Sequence, residues 1–156
     1  MCINTDLIAG LPGETPEDMR RNMEELAKLS PENITIHTLA VKRASRLNEL
    51  RRENEAAQLP DVHAVEAMLS IGMEACSRAG LHPYYLYRQK NMVGLFENVG
   101  YSLPGQECLY NVGMMAEVQT ILGIGAGAVS KFVIGNKITR EFNPKNPEIY
   151  IERRKA

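Results

Sequence analysis

The chain has 156 residues, 44% of them hydrophobic, and a formal net charge of −1. That length allows one domain, or one with a small appendage, and a sizeable core, while the charge excludes a general nucleic-acid binder, which carries a basic excess. No apolar run reaches the ~20 residues that span a bilayer, and the residues after Met1 lack the basic-then-apolar order of a secretory leader, so a cytoplasmic chain is expected. Cys2, Cys76 and Cys108 are odd in number and far apart, which fits free thiols in a reducing compartment rather than a disulfide framework. They lack metal-ligand spacing, and His37, His63 and His82 add none. No intrinsic metal site is expected.

The most informative stretch is DLIAGLPGETPEDM, Asp6 to Met19. It reads as an apolar strand over Ile3–Ala9, a Gly-Pro-Gly corner and a capped helix. Asp6 is the lone carboxylate of the strand and therefore needs a committed partner, because an unpaired buried carboxylate is costly. Gly10 and Gly13 permit positive φ, Thr15 suits the N-cap, Pro16 the first helical position, and Glu17 and Asp18 the positive helix end. The helix runs to about Leu29 with Met19, Met23, Leu26 and Leu29 at helical spacing, and Ser30-Pro31 stops it. Ile34 to Val41 then reads as a second strand. Strand, helix, strand in this span predicts parallel pairing through a right-handed crossover. His37, inside the second strand, reads as a packed residue. Lys42, Arg43 and Arg46 follow that strand's end, where α/β proteins hold anionic ligands.

Arg46 to Gln58 reads as a charged surface helix. Asp61 to Ala79 is a clearer amphipathic helix, with Val65, Met68, Leu69, Met73 and Cys76 on one face and Gly80 as its left-handed stop. A strand is expected over Tyr84–Tyr87. From Gly94 to Gly113 the glycines and polar residues predict a loop-rich region. The Gly-rich run ILGIGAGAVSKFV, Ile121 to Val133, implies a backbone lying close against a ligand or another strand. Val129–Ile134 and Lys137–Phe142 flank Gly135-Asn136, a hairpin signal.

Taken in order, DLIAGLPGET, HTLAVKRASRL, YLYRQKNMVGLFENVGY and LGIGAGAVSKF resemble the C-terminal half of oxygen-independent coproporphyrinogen III dehydrogenases, a group of radical S-adenosylmethionine enzymes. The third segment points to the Firmicute-type branch, and the resemblance covers roughly residues 3–150. It implies an α/β fold, a fragment of a partial (βα) barrel with a C-terminal α+β extension. Residues 1–45 would supply the last two barrel strands and their connecting helix; residues 46–156 would supply the closing helices and the Gly-rich extension. By motif match, Asp6, Ala40 and Val129 would line S-adenosylmethionine sites. For the complete enzyme the resemblance implies oxidative decarboxylation of coproporphyrinogen III propionates to vinyl groups, initiated by a 5′-deoxyadenosyl radical. Arg43 and Arg88 are then the candidates for pairing the remaining propionates.

The family holds a [4Fe–4S] cluster on a CxxxCxxC loop, and this sequence has no such triplet. The reading is therefore a portion of a larger enzyme whose N-terminal half is its partner. By itself the chain is expected to retain neither cluster nor S-adenosylmethionine, to have no catalytic or metal-ligating residue of its own, and either to self-associate through the edge of its first strand or to cover that edge with its own C-terminal segment. The alternative is a non-catalytic module that binds a tetrapyrrole or nucleoside, or another protein.

Overall fold

A computed structural model describes residues 2–53, 58–89, 92 and 94–155. It is a mixed α/β structure divided into two compact units, Met1–Cys108 and Leu109–Ala156. The expected boundary at residue 45 is a different division: the helix and strands that follow it pack into the first unit. The reason is apolar patterning, since the β1–α1–β2 segment cannot bury its own hydrophobic surface without them.

The first unit holds β1 (Asn4–Ala9), α1 (Pro16–Leu29), β2 (Asn33–Thr38), α2 (Arg46–Glu53), α3 (Val62–Arg78), β3 (His82–Tyr87) and β4 (Asn98–Ser102). Its four-stranded sheet has the order β1-β2-β4-β3, with β1 and β2 parallel and the other pairings antiparallel. α1 starts and stops where its sequence says. Thr15 and Asp18 form a reciprocal capping box, and Ser30 closes the helix in the left-handed conformation at φ 48°. The Thr15 hydroxyl and backbone, in that order, hold the Asp18 carboxyl below its ordinary range. Asp61 caps α3 by accepting from the Ala64 amide at 2.7 Å, and Gly80 follows at φ 74°. The charged helix expected over 46–58 is described as α2 over Arg46–Glu53, and residues 54–57 of that expectation lie outside the described residues.

α1 and α3 cover one face of the sheet. Alternate strand residues Leu7, Ala9, Ile34, Ile36, Val99 and Tyr101 meet Met19, Met23, Met68 and Cys76 there, and that layer is the core. β2 ends at Thr38, earlier than the sequence suggests: Asn98 Oδ1 accepts the Thr38 amide at 2.7 Å, and the Leu39 amide makes a last backbone bond to the Ala9 carbonyl at 2.9 Å. The chain then leaves the ladder, and Ala40 makes only an isolated antiparallel bridge to Met92. β4 lies inside the region expected to be loop. Its Asn98 and Gly100 read as loop residues, yet they serve strand packing: a Cβ on Gly100 would lie 1.9 Å from the Tyr85 ring.

The second unit holds α4 (Leu109–Ala116), the hairpin β5 (Val129–Ile134) and β6 (Lys137–Phe142), and α5 (Pro147–Lys155). α4 is a second element within the stretch read as loop-rich. Buried Lys131 donates to the Gly113 and Met114 carbonyls near the end of α4, at 3.4 and 3.2 Å, where a cation complements the helix dipole. The Gly-rich run lies against another strand. A Cβ on Gly123 would come within 2.6 Å of the Val129 backbone, and Asn143 Nδ2 ties the Gly123 and Gly125 carbonyls at 3.0 and 2.9 Å.

Candidate functional site

Period-two alternation leaves the second face of the first unit's sheet free of helices, and polar side chains collect on it. The pairing registers set them in rows. Tyr85, Gly100, Thr35 and Asp6 stand opposite one another across β3, β4, β2 and β1. In the adjoining row Tyr87 faces Asn98, and His37 faces Ile8. With no side chain on Gly100, the Tyr85 ring lies across it, and the Tyr85 and Thr35 hydroxyls meet at 3.1 Å. Burial above all pushes the Tyr85 hydroxyl above its ordinary value, with Tyr84, Tyr87 and Asp6 adding to the effect. It is therefore a neutral donor at physiological pH.

A second chain of contacts runs along the same face. Gln89 Nε2 donates to the Tyr87 hydroxyl at 3.3 Å, and that hydroxyl lies 3.1 Å from His37 Nδ1. The other imidazole nitrogen, Nε2, lies 3.7 Å from Asp6 Oδ1, an electrostatic contact longer than a hydrogen bond. Asn4 Nδ2 donates to the same Oδ1 at 3.2 Å. Among the described residues nothing donates to Asp6 Oδ2. The Asp6 side chain is 58% exposed, so Oδ2 can accept from a ligand hydroxyl or ammonium group beside the tyrosines. That donor and acceptor set suits part of a nucleoside cofactor.

The sequence-derived candidates fall on different elements of the chain. Asp6 is mid-strand on the helix-free face. Ala40 is half-buried just beyond β2 rather than on the parallel strand beside Asp6, because β2 stops at Thr38. Val129 belongs to the second unit, at the start of β5, where it pairs with Phe142. Arg43 is exposed in the turn before α2, its carbonyl accepting from Asn48 Nδ2. Arg88 is also exposed and pairs with Glu97 at 3.1 Å. His37, read as a packed residue, is instead a member of the polar array, as are Thr35, Tyr85 and Tyr87. The signal for them was present as polar residues at alternate strand positions, but only strand pairing brings three separate segments into one array.

The residues present do not fit an iron–sulfur cluster. Among the described residues no group of three His, Cys, Asp or Glu side chains converges. Cys2 is exposed, Cys108 half-buried, and Cys76 sits in the core, where burial pushes its thiol up to about 12. A thiol held neutral in an apolar layer is a poor ligand. Nor is any helix among the described residues long and apolar enough to cross a membrane.

No protein-family model matches the chain. Over 153 residues, 97% of this chain and 30% of the relative, it is 50% identical to the oxygen-independent coproporphyrinogen-III oxidase-like protein HemZ of Bacillus subtilis. The match falls in the C-terminal part of that protein. It is also 28% identical over 150 residues to the heme chaperone HemW of Mycobacterium tuberculosis and 26% identical over 149 residues to HemW of Haemophilus influenzae. In each case it spans 34% of the relative. Among solved structures, Escherichia coli coproporphyrinogen III oxidase (HemN), described as a radical SAM enzyme, superposes with a TM-score of 0.60. That alignment covers 93% of this chain and 32% of HemN at 20% identity, which speaks for the fold alone. The resemblance drawn from the four motifs is thus borne out. Along nearly its whole length this chain is a sequence relative of the oxygen-independent coproporphyrinogen-III oxidase-like proteins, and it spans about a third of the length of the relatives it matches.

Proposed function

We propose that this chain is the closing portion of a radical S-adenosylmethionine protein of tetrapyrrole metabolism, working in the cytoplasm. In that protein β1 and β2 are the last two strands of a partial barrel, and the remainder closes and extends it. The observation that carries the reading is the 50% identity over 153 residues to HemZ. The sheet supports it. β1 is an edge strand paired only with β2 among the named strands, and Ile3 just before it and Ile8 within it are 44% and 43% exposed. An edge of that kind is completed by a further strand, from the missing part of the barrel or from a second copy of the chain.

The residues of this chain would bind and orient rather than initiate. Asp6 takes a cofactor hydroxyl or ammonium through Oδ2, the Ala40 backbone lies at the strand end beyond it, and Val129 is a separate cofactor-lining candidate within the second unit. Arg43 and Arg88 are the cations offered to substrate carboxylates, Arg88 after release from Glu97. When bound, S-adenosylmethionine supplies radical chemistry that begins at a cluster held by the N-terminal portion. Oxidative decarboxylation of coproporphyrinogen III is the reaction this predicts for the whole protein.

The test is a chimera in which this chain replaces the matching segment of HemZ, reconstituted anaerobically with iron and sulfide. S-adenosylmethionine cleavage together with conversion of propionates to vinyls supports the proposal. Stoichiometric haem binding without turnover would favour the second reading, a non-catalytic tetrapyrrole-binding protein, to which the HemW relatives lend weight. A folded chimera that carries its cluster and neither cleaves the cofactor nor binds a tetrapyrrole rejects both.

A further inference from the structure

We infer that His37 is a positioning residue for Asp6, held in one tautomer by Tyr87 and Gln89, and that this array fixes which carboxylate oxygen meets the ligand. The inference rests on the proposed cofactor role of Asp6. The direction of each hydrogen bond in the array points to this role. Gln89 Nε2 has only protons to offer, so the Tyr87 oxygen accepts from it at 3.3 Å and keeps its own proton for another partner. We assign that proton to His37 Nδ1, whose 3.1 Å separation from the hydroxyl suits it as the acceptor. An imidazole that accepts at Nδ1 carries its proton on Nε2, the nitrogen facing Asp6 Oδ1 at 3.7 Å. Asn4 Nδ2, a donor as well, points at the same oxygen at 3.2 Å.

Every donor in the array therefore faces one way, and the carboxylate is its terminal acceptor. Asn4 Nδ2 donates to Oδ1 and His37 Nε2 stands 3.7 Å from the same oxygen, an arrangement that leaves Oδ2 for the ligand. The 3.7 Å contact has room to shorten by a small ring rotation once a ligand replaces water over the site, as hydrogen bonds in unliganded sites commonly do. The Tyr87 and His37 rings meet edge-on, with centroids 6.2 Å apart, which restrains the imidazole from the side. An imidazole hydrogen-bonded at one nitrogen and aimed at a functional carboxylate with the other is an orienting device rather than core filling.

Two measurements test this. In the isolated chain, long-range proton–nitrogen NMR should find neutral His37 protonated at Nε2, and Tyr87→Phe should shift it toward a mixture of tautomers. In the HemZ chimera, calorimetry should find that His37→Phe weakens S-adenosylmethionine binding about tenfold, as expected for loss of a bond to a charged group, while His37→Gln restores most of the affinity through its amide N–H. An Nδ1-protonated His37 in the unsubstituted chain overturns the inference. So does unchanged affinity in His37→Phe when Asp6→Ala abolishes binding. If the unsubstituted chimera binds no S-adenosylmethionine, the functional reading fails, and the tautomer measurement still decides whether the array is oriented as described.

Discussion

The two faces of the four-stranded sheet are made by the same strands and obey different chemistry. On the covered face, Leu7, Ala9, Ile34, Ile36, Val99 and Tyr101 lie under two methionine-bearing helices. On the helix-free face, one residue along each strand, Thr35 pairs with Tyr85 and His37 with Tyr87 by hydrogen bonds, and Asp6 stands 3.7 Å from His37. Stability is concentrated on one side, and the other carries the residues we propose for recognition, with a backbone only one residue thick between them. Substitutions on the covered face should therefore unfold the unit, whereas those on the helix-free face should change what it binds.

The largest effect belongs to Met68, which is fully buried between α3 and the sheet. Met68→Ala should cost about 2–5 kcal/mol in urea unfolding, because the rigid layer cannot collapse around the lost volume. A cost below about 1 kcal/mol would mean that the helix-covered layer is loosely packed.

Alkali should act on the same face. Burial holds the Cys76 thiol to about 12 from an ordinary 9.0, and burial with the nearby Cys76 holds the Tyr101 hydroxyl to about 12 from 10.0. Between those values the folded chain keeps protons that the unfolded chain has released. Stability is therefore complete below about pH 9 and falls as pH rises toward 12, by about 1.4 kcal/mol per unit for each group once its unfolded form is ionised. Unfolding midpoints should hold up to about pH 9 and fall steadily from there to about 10.5, and a flat profile would show that this face admits water.

Gly100 joins the two faces, and its substitution should have an intermediate effect. Gly100→Ala places a Cβ against the Tyr85 ring, which must give up its position over the strand and its contact with Thr35. A loss of about 1–3 kcal/mol is expected, with a change in tyrosine fluorescence marking the displaced ring. Full stability with unchanged fluorescence would show that Tyr85 does not occupy that place.

The smallest effect on stability is expected at Asp6. Asp6→Asn keeps the shape, sits on an exposed position, and should change unfolding by no more than about 0.5 kcal/mol. In the HemZ chimera the same change should remove S-adenosylmethionine binding. A large loss of stability would move Asp6 from the recognition side of the comparison to the structural side.

Much of the fold was legible in the sequence because its signals are local. Thr15-Pro16, with Asp18 three residues past the cap, marks the start of α1. Ser30-Pro31 ends it, Gly80 ends α3, and Gly135-Asn136 turns the second unit's hairpin, each through backbone preferences that need no distant partner. The motif order likewise carried the family resemblance, and Asp6 stood out as the lone carboxylate of an apolar strand. The tertiary structure decided what depends on partners far along the chain. Asn98 and Gly100 belong to an inner strand because Thr38 needs an acceptor and Tyr85 needs room, and neither need can be read from the residues near them. His37 joined the site for the same reason: its two partners, Asp6 and Tyr87, lie on strands that only the sheet brings beside it. Local sequence fixes where elements begin and end because caps and turns are satisfied within a few residues. Pairing across the sheet fixes the site because a hydrogen bond between distant segments exists only after the chain has folded.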